Sequence, residues 1–103
     1  MRGNINTIPI TQVRFSTDKD HLLILEYSLR CVAGPQGEDL YGLRVDKRNQ
    51  EGLLLEREET PAFTNSHSEA TALAKTFAVG TVPPCVLLEM LDEWYSTFDD
   101  QVS

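Results

Sequence analysis

The 103-residue sequence has little positive charge and no long apolar stretch. Nine lysine and arginine residues stand against sixteen aspartate and glutamate residues, which gives a net charge of −7 and a pI of about 4.6. Nucleic acids and anionic membrane surfaces are bound mainly through lysine and arginine, so this balance argues against both as partners. No apolar run reaches the roughly 18 residues that a membrane-spanning helix needs.

The residues that usually carry metal or redox chemistry are also scarce. Cys31 and Cys85 lie 54 residues apart, and neither they nor His21 and His67 form a paired metal-ligand spacing. No nucleophile has an evident base partner, so we predict no catalytic residue, no metal and no cofactor. No apolar leader segment follows Met1, which favours a cytoplasmic protein with reduced thiols.

The charge that is present is distributed unevenly. The first 48 residues contain seven bases and six acids, a net +1, whereas the remaining residues contain two bases and ten acids, a net −8. No lysine or arginine follows Lys75. A small basic cluster of Arg44, Lys47 and Arg48 could pair with the acidic half within one chain or between two chains.

Period-two alternation predicts a sheet in the first sixty residues. The clearest strand is Leu22–Val32, which forms a hairpin with Leu40–Asp46, and the residues between them and from 47 to 52 are predicted turns. Leu53–Glu59 fits a strand or a helical turn, and we favour a strand. Ile8–Phe15 is β-prone, but Pro9 restricts it to an edge strand or an irregular lead-in.

Helical signals follow Pro61. Ser66 and Glu69 have the spacing of a capping box, the apolar residues after them recur at helical spacing, and Gly80 is a natural residue to follow the helix end. Pro84 suits the first position of a second helix. The link between them is short, so we expect an antiparallel hairpin or a tight corner.

These elements predict an α+β fold. We expect an antiparallel β-meander of three to four strands, followed by two C-terminal α-helices packed on one face of the sheet. Residues 1–103 would form one domain, with a flexible start at 1–7, a sheet region at 8–59 and a helical hairpin at 65–99.

The last helix is the candidate binding element. Its apolar arc ends with Trp94, Tyr95 and Phe98 and spans about 200° on a helical wheel, more than a one-sided surface helix needs. The arc is either all core or core plus an interface, and its acidic side is either a solvated face or a contact for a basic partner. The candidate partner-binding residues are Val86, Glu89, Met90, Asp92 and Glu93.

Two stretches resemble a known family. Tyr27–Val45 combines a strand, a glycine-containing loop and a Tyr-Gly-aliphatic strand, and Val82–Tyr95 is a proline-initiated helix with an acidic and aromatic end. Together they resemble small uncharacterised proteins of spore-forming anaerobic bacteria, grouped as domain of unknown function 6514, over about residues 20–98. Where that family often has a His-Leu pair, this chain has Cys85-Val86-Leu87-Leu88. The resemblance implies a fold and a cytoplasmic setting, with no catalytic residue.

Three functional hypotheses follow. The leading one is a small, non-catalytic cytoplasmic interaction or regulatory protein that binds a basic partner through its C-terminal helix. The alternative is a small-molecule-binding domain or enzyme with a pocket between sheet and helices, holding polar groups such as Tyr27, Arg30 or His67. The third is a homodimer formed through the last helix or a sheet edge.

Overall fold

One antiparallel sheet and two helices make up the structure, a computed structural model that describes residues 6–17 and 21–102, with side chains described as far as Trp94. The strands are neighbours in chain order, which confirms the predicted α+β meander. The predicted flexible segment 1–7 lies outside the described residues up to residue 5, and its last two residues belong to β1. The elements are β1 (Asn6–Ser16), β2 (Leu22–Ala33), β3 (Asp39–Asn49), β4 (Leu54–Glu59), α1 (His67–Val79), a 3₁₀ turn (Pro84–Val86) and α2 (Leu87–Val102).

The two uncertain segments are both strands at the edges of the sheet. β1 pairs with β2 on one side only, and its register shifts between Pro9 and Thr11. A bulge at an edge is where a sheet tolerates proline, because no further strand needs the missing N–H. At the other edge β4 confirms the strand favoured for residues 53–59.

β3 is longer than its sequence predicts. Lys47 and Arg48, assigned to a turn, continue the ladder to Asn49. Lys47 lies 3.1 Å from a carboxylate oxygen of Glu56 on β4. Opposite charges on neighbouring strands stabilise a sheet by about as much as apolar pairs do. The polar composition of this stretch is therefore compatible with a β-ladder.

The helices cover one face of the sheet, which we call the covered face. Odd-numbered residues of β2 and β3 point into it, including the fully buried Leu25, Leu29 and Val45. Alanines of α1 let that helix approach the sheet closely. The buried residues of the core are Leu25, Tyr27, Leu29, Leu43, Val45, Ala70, Leu73, Ala74, Phe77, Ala78, Val82, Leu87 and Leu91.

α1 begins at the predicted cap but with a different partner for the glutamate. The Ser66 hydroxyl accepts from the Glu69 N–H at 3.1 Å. The Glu69 carboxylate, however, accepts from the Thr64 hydroxyl, which itself accepts from the Ser66 N–H. The Thr64 hydroxyl therefore bridges the Ser66 N–H and the Glu69 carboxylate. The direct hydrogen bond from the Ser66 N–H to Glu69, which the capping-box spacing predicts, is not formed.

α1 ends one residue later than its glycine suggests. Gly80 has an ordinary negative φ, and the left-handed position belongs to Thr81, with φ 54°. The Val82 N–H donates to the Phe77 carbonyl and the Thr81 N–H to the Ala78 carbonyl, both at 3.0 Å. These two bonds form a Schellman motif whose left-handed residue is β-branched, a strained choice.

We expect Thr81→Gly to raise the free energy of unfolding by about 1 kcal/mol, because glycine removes the left-handed penalty and loses only part of that gain to unfolded-state entropy. Thr71→Gly, the same change inside α1, should instead lower it by about 1 kcal/mol. Urea denaturation of both variants measures whether each substitution raises or lowers the free energy of unfolding. A loss of stability at Thr81 would contradict a strained motif.

The chain turns sharply after α1. Pro84 begins a 3₁₀ turn that leads into α2, which confirms the predicted start of the second helix. α1 and the segment from Pro84 to Trp94 are bent by 118° relative to one another, so the connection is a corner. Within the described residues no single helix is long and apolar enough to cross a membrane, and this bent pair meets such a criterion only when its two halves are combined.

Candidate interaction surfaces

A shallow groove of about 340 Å³ lies between the end of α1 and the outer side of α2. Its floor is apolar, and its polar rim includes one carboxylate. The last turn of α1, which borders it, contains no basic residue. The groove is lined by Thr76, Phe77, Gly80, Val82, Met90, Glu93 and Trp94.

The corner that forms the groove is fixed to the sheet by a buried hydrogen bond. The Tyr27 hydroxyl donates to the Val82 carbonyl at 2.8 Å. Burial raises the pKa of Tyr27 to about 12, so the phenol stays protonated and able to donate throughout the physiological range. The Schellman motif and this bond together hold Val82 at the base of the groove.

The structure brings together two of the five predicted binding residues. Met90 is half-buried and Glu93 exposed, and both line the groove. Val86 lies in the 3₁₀ turn, half-buried against the core. Glu89 and Asp92 are exposed. At 100° per residue Asp92 falls on the far flank of α2, away from the groove.

The aromatic end of the arc is shared between core and groove. Trp94 is half-buried, packs against the core and lies edge-on to Phe63, with ring centroids 6.5 Å apart. The side chains of Tyr95 and Phe98, predicted to extend the arc, lie outside the described part. The arc therefore has a covered centre at Leu87 and Leu91 and a half-exposed side in the groove.

The opposite face of the sheet collects positive charge. All five arginines that the structure describes lie there. Four occupy positions of β1, β2 and β3 that alternate with core-packed residues, and Arg57 of β4 pairs with Asp46 at one of those positions. Three carboxylates are interspersed among them. We call this surface the arginine face. Its charged residues are Arg14, Arg30, Arg44, Arg48, Arg57, Glu26, Asp46 and Glu59.

Asp46 is the centre of the arginine face and is buried. Arg57 donates to its two oxygens at 2.8 and 3.1 Å, and guanidinium nitrogens of Arg44 and Arg48 lie 3.6 and 3.5 Å away. Burial alone would raise the pKa of Asp46. The hydrogen bond from Arg57 and the charges of all three arginines outweigh it and hold that pKa below its usual value.

The other carboxylates hold the remaining arginines less tightly. Arg48 donates from Nε to Glu26 at 2.9 Å. Glu59 is half-exposed and lies 3.7 Å from Nε of Arg30 and 3.8 Å from Nε of Arg44, and neither of these buried Nε atoms makes a hydrogen bond. The basic cluster noticed in the sequence therefore pairs within the same chain: Lys47 and Arg44 with Glu56 and Glu59 of β4, and Arg48 with Glu26 of β2 and Asp46 of β3.

The polar residues suggested for a pocket between sheet and helices do not converge. Tyr27 is buried in the core, whereas Arg30 lies on the arginine face and donates to the Thr60 carbonyl. His67 is exposed at the start of α1, where its ring meets that of Tyr41 edge-on at 5.3 Å. A cleft of about 360 Å³ between β1 and α1 is lined by other residues: Ile10, Thr11, Val13, Lys75, Ala78 and Val79.

The thiols and potential metal ligands are separate. Cys31 is half-buried in β2 and Cys85 is exposed in the 3₁₀ turn, and both are free. In the part of the chain with described side chains, no three histidine, cysteine, aspartate or glutamate residues are placed to hold a metal ion. The two surfaces that remain as candidates are the groove and the arginine face.

Comparison with known proteins places most of the chain in a family. A family model described as "Family of unknown function (DUF6514)" matches residues 6–97, which span all four strands, α1 and the described side chains of α2. No curated protein and no solved structure matches the chain. The matched range covers nearly the whole sequence, and the chain belongs to this family of unknown function.

Proposed function

We propose that the protein is a non-catalytic interaction module that holds a basic, amphipathic helical segment of a partner protein in the groove between α1 and α2. The observation that carries this proposal is an apolar floor bordered by negative charge and no positive charge. Phe77, Val82 and Met90 supply apolar contact, and Glu93 stands at the rim. Grooves of this kind commonly bind helices through apolar anchors three or four residues apart.

The electrostatics of the groove favour a basic partner over a neutral one. The C-terminal end of a helix carries a partial negative charge, and the last turn of α1 has no base to offset it. Glu89, Asp92 and Glu93 make the exposed side of α2 acidic. A lysine or arginine of the partner would meet the C-terminal end of α1 and the Glu93 carboxylate at the rim.

Trp94 provides a direct measure of occupancy. It is the sole tryptophan of the sequence and lines the groove. The first probe is a synthetic helical peptide of lysine and leucine, with leucines at i, i+3, i+4 and i+7 and no aromatic residue. Its binding should shift the fluorescence emission of Trp94 to shorter wavelength. A lysine-serine peptide of equal charge measures attraction without apolar contact.

Matched variants separate the groove from the overall negative charge. Glu93→Lys should weaken binding of the lysine-leucine peptide about tenfold, since it replaces an attraction at the rim by a repulsion. Glu51→Lys makes the same change in the exposed β3–β4 turn and should alter affinity less than twofold. Met90→Ala should also weaken binding, whereas Leu88→Ala, on the far flank of α2, should not.

The proposal fails if Glu93→Lys and Glu51→Lys weaken binding equally, because that would indicate general attraction to an acidic protein. It fails equally if the lysine-serine peptide binds as tightly as the lysine-leucine peptide.

We further propose a bacterial, cytoplasmic setting. It is supported by the resemblance of the sequence to proteins of spore-forming anaerobes and by two cysteines that are not joined to one another.

A further inference from the structure

The arginine face has no role in the proposed groove, and its charge is opposite to that of the rest of the sequence. Five arginines against three carboxylates give it a net charge of +2. The remaining four bases and thirteen acids of the sequence give −9. Both lysines that the structure describes, Lys47 and Lys75, lie elsewhere.

The arginines are spaced regularly along the strands. Four consecutive cross-strand rows of the arginine face each contain at least one arginine, supplied in turn by Arg30, Arg44, Arg57, and then Arg48 with Arg14. Successive rows on one face of a sheet lie about 7 Å apart. An extended chain repeats its side chains on one side with the same spacing. The arginines lie on different strands, so acidic residues at alternate positions of a segment running along the sheet would each lie level with a row that contains an arginine.

Among the described residues, part of this positive charge has no close carboxylate partner. Arg14 is exposed and makes no hydrogen bond or ion pair with another described residue. Glu59 serves both Arg30 and Arg44 at distances too long for hydrogen bonds to their Nε atoms. Ile24 and Leu54, in the same row as Arg14 and Arg48, add aliphatic contact beside the charges.

We propose that the arginine face is a second docking surface, which binds an extended acidic segment of a protein, with aspartate or glutamate at alternate positions. Arginine suits this role because its planar guanidinium group binds carboxylates in a defined geometry. This surface lies on the other side of the sheet from the groove and would take a partner of the opposite charge.

A nucleic acid fits the arginine face less well. Single strands are held by aromatic side chains on which bases stack. The described residues of this face include no phenylalanine, tyrosine or tryptophan.

The test measures binding of a fluorescein-labelled twelve-residue peptide of alternating glutamate and threonine, by anisotropy at low salt. Two further probes are a lysine-threonine peptide and a twelve-residue oligothymidylate. We expect the glutamate-threonine peptide to bind, and its affinity to fall as salt is added. Arg14→Gln should weaken that binding about threefold. Lys75→Gln removes the same charge from α1 and should leave affinity unchanged.

A gain-of-binding variant separates docking from a structural role. Glu59→Gln removes an internal competitor for Arg30 and Arg44 and should tighten binding of the acidic peptide about threefold. Glu58→Gln makes the same charge change on the neighbouring residue of β4, which faces the covered side, and should have no such effect. If the ion-pair network had only a structural role, Glu59→Gln would lower the free energy of unfolding without raising the affinity for the acidic peptide.

Three outcomes would overturn the proposal. In the first, the acidic peptide does not bind at low salt. In the second, Arg14→Gln and Lys75→Gln weaken it equally, which would indicate a long-range effect of net charge. In the third, oligothymidylate binds more tightly than the acidic peptide, which would assign the surface to nucleic acid.

Discussion

Asp46→Asn is expected to lower the free energy of unfolding at pH 7 by about 3 kcal/mol. The Asp46 side chain is 8% exposed and is hydrogen-bonded through both oxygens to Arg57. Arg44 and Arg48 share the same carboxylate. An amide would leave three neighbouring guanidinium groups without their common counter-charge, and their mutual repulsion would add to the lost hydrogen bonds. Urea denaturation of the variant measures this loss.

The loss should shrink as the solution becomes more acidic. The pKa of Asp46 is lower in the folded protein than in the unfolded chain, where it is about 3.9. A carboxylate with a depressed folded-state pKa stabilises the protein above pH 4, and its contribution disappears as the pH falls through the folded value. The unfolding free energies of the wild type and the variant should therefore converge below about pH 4.

Glu59→Gln is the matched control for this prediction. Its carboxylate is 41% exposed and makes no hydrogen bond to Nε of Arg30 or Arg44, so its removal should cost less than about 1 kcal/mol. Equal costs at Asp46 and Glu59 would show that burial of the carboxylate adds nothing. A gap between wild type and Asp46→Asn that stayed constant from pH 7 to pH 3 would exclude the ionised carboxylate as its source.

The sheet could be predicted from sequence because one face is covered and the other is not. Alternation in β2 and β3 gives the position of Leu25, Leu29 and Val45 in the core, and a short link between strands gives antiparallel neighbours. Strand ends were predicted less well. Lys47 and Arg48 look like turn residues by composition, but their partners Glu56 and Glu26 are distant in sequence and become visible only in the register.

The corner after α1 shows a different limit. Gly80 is the residue expected to adopt a left-handed conformation, yet Thr81 adopts it. The position is determined by long-range contacts, because the Val82 carbonyl must accept from the buried Tyr27 hydroxyl while Val82 itself packs in the core. Local preference at Gly80 amounts to about 1 kcal/mol, which packing of this kind can outweigh.

The arginine face was the larger omission at the sequence level. The sequence drew attention to Arg44, Lys47 and Arg48 as a run, but Lys47 points to the covered face and Arg14, Arg30 and Arg57 complete the surface. The signal was present in the alternation of β1, β2 and β3, since their arginines occupy positions out of phase with the residues that pack in the core. β4 has no core residue, and Arg57 is placed by its pairing with Asp46. Finding it required the register of all four strands, which shifts between Pro9 and Thr11 in β1 and between Lys47 and Arg48 in the pairing of β3 with β4.

The arginine face depends on a close crossing of the chain at Gly42. After β4 the backbone passes over this glycine, and a Cβ atom there would lie 2.8 Å from the Pro61 carbonyl oxygen and 3.0 Å from that of Thr60. Thr60 is buried, and its hydroxyl accepts from the Leu43 N–H at 2.9 Å and donates to the Pro61 carbonyl. The atoms that would have to move are therefore backbone atoms already fixed by hydrogen bonds.

We expect Gly42→Ala to lower the free energy of unfolding by about 3 kcal/mol, the upper end of the usual cost of overpacking, because the crossing segment cannot yield without breaking the Thr60 bonds. Gly80→Ala is the matched control. The φ of Gly80 is ordinary, a Cβ there would come no closer than 3.8 Å to another atom, and the variant should be neutral or slightly stabilising. Urea denaturation measures both.

The same substitution also links the crossing to the proposed acidic-segment surface. Arg30 donates to the Thr60 carbonyl, so a displaced crossing would release the guanidinium group that begins the row of arginines. In Gly42→Ala, binding of the glutamate-threonine peptide should weaken at temperatures where the variant is still folded, whereas in Gly80→Ala it should be unchanged. A Gly42→Ala protein as stable as the wild type would show that the crossing can move freely, and Thr60 could then not be what positions Arg30.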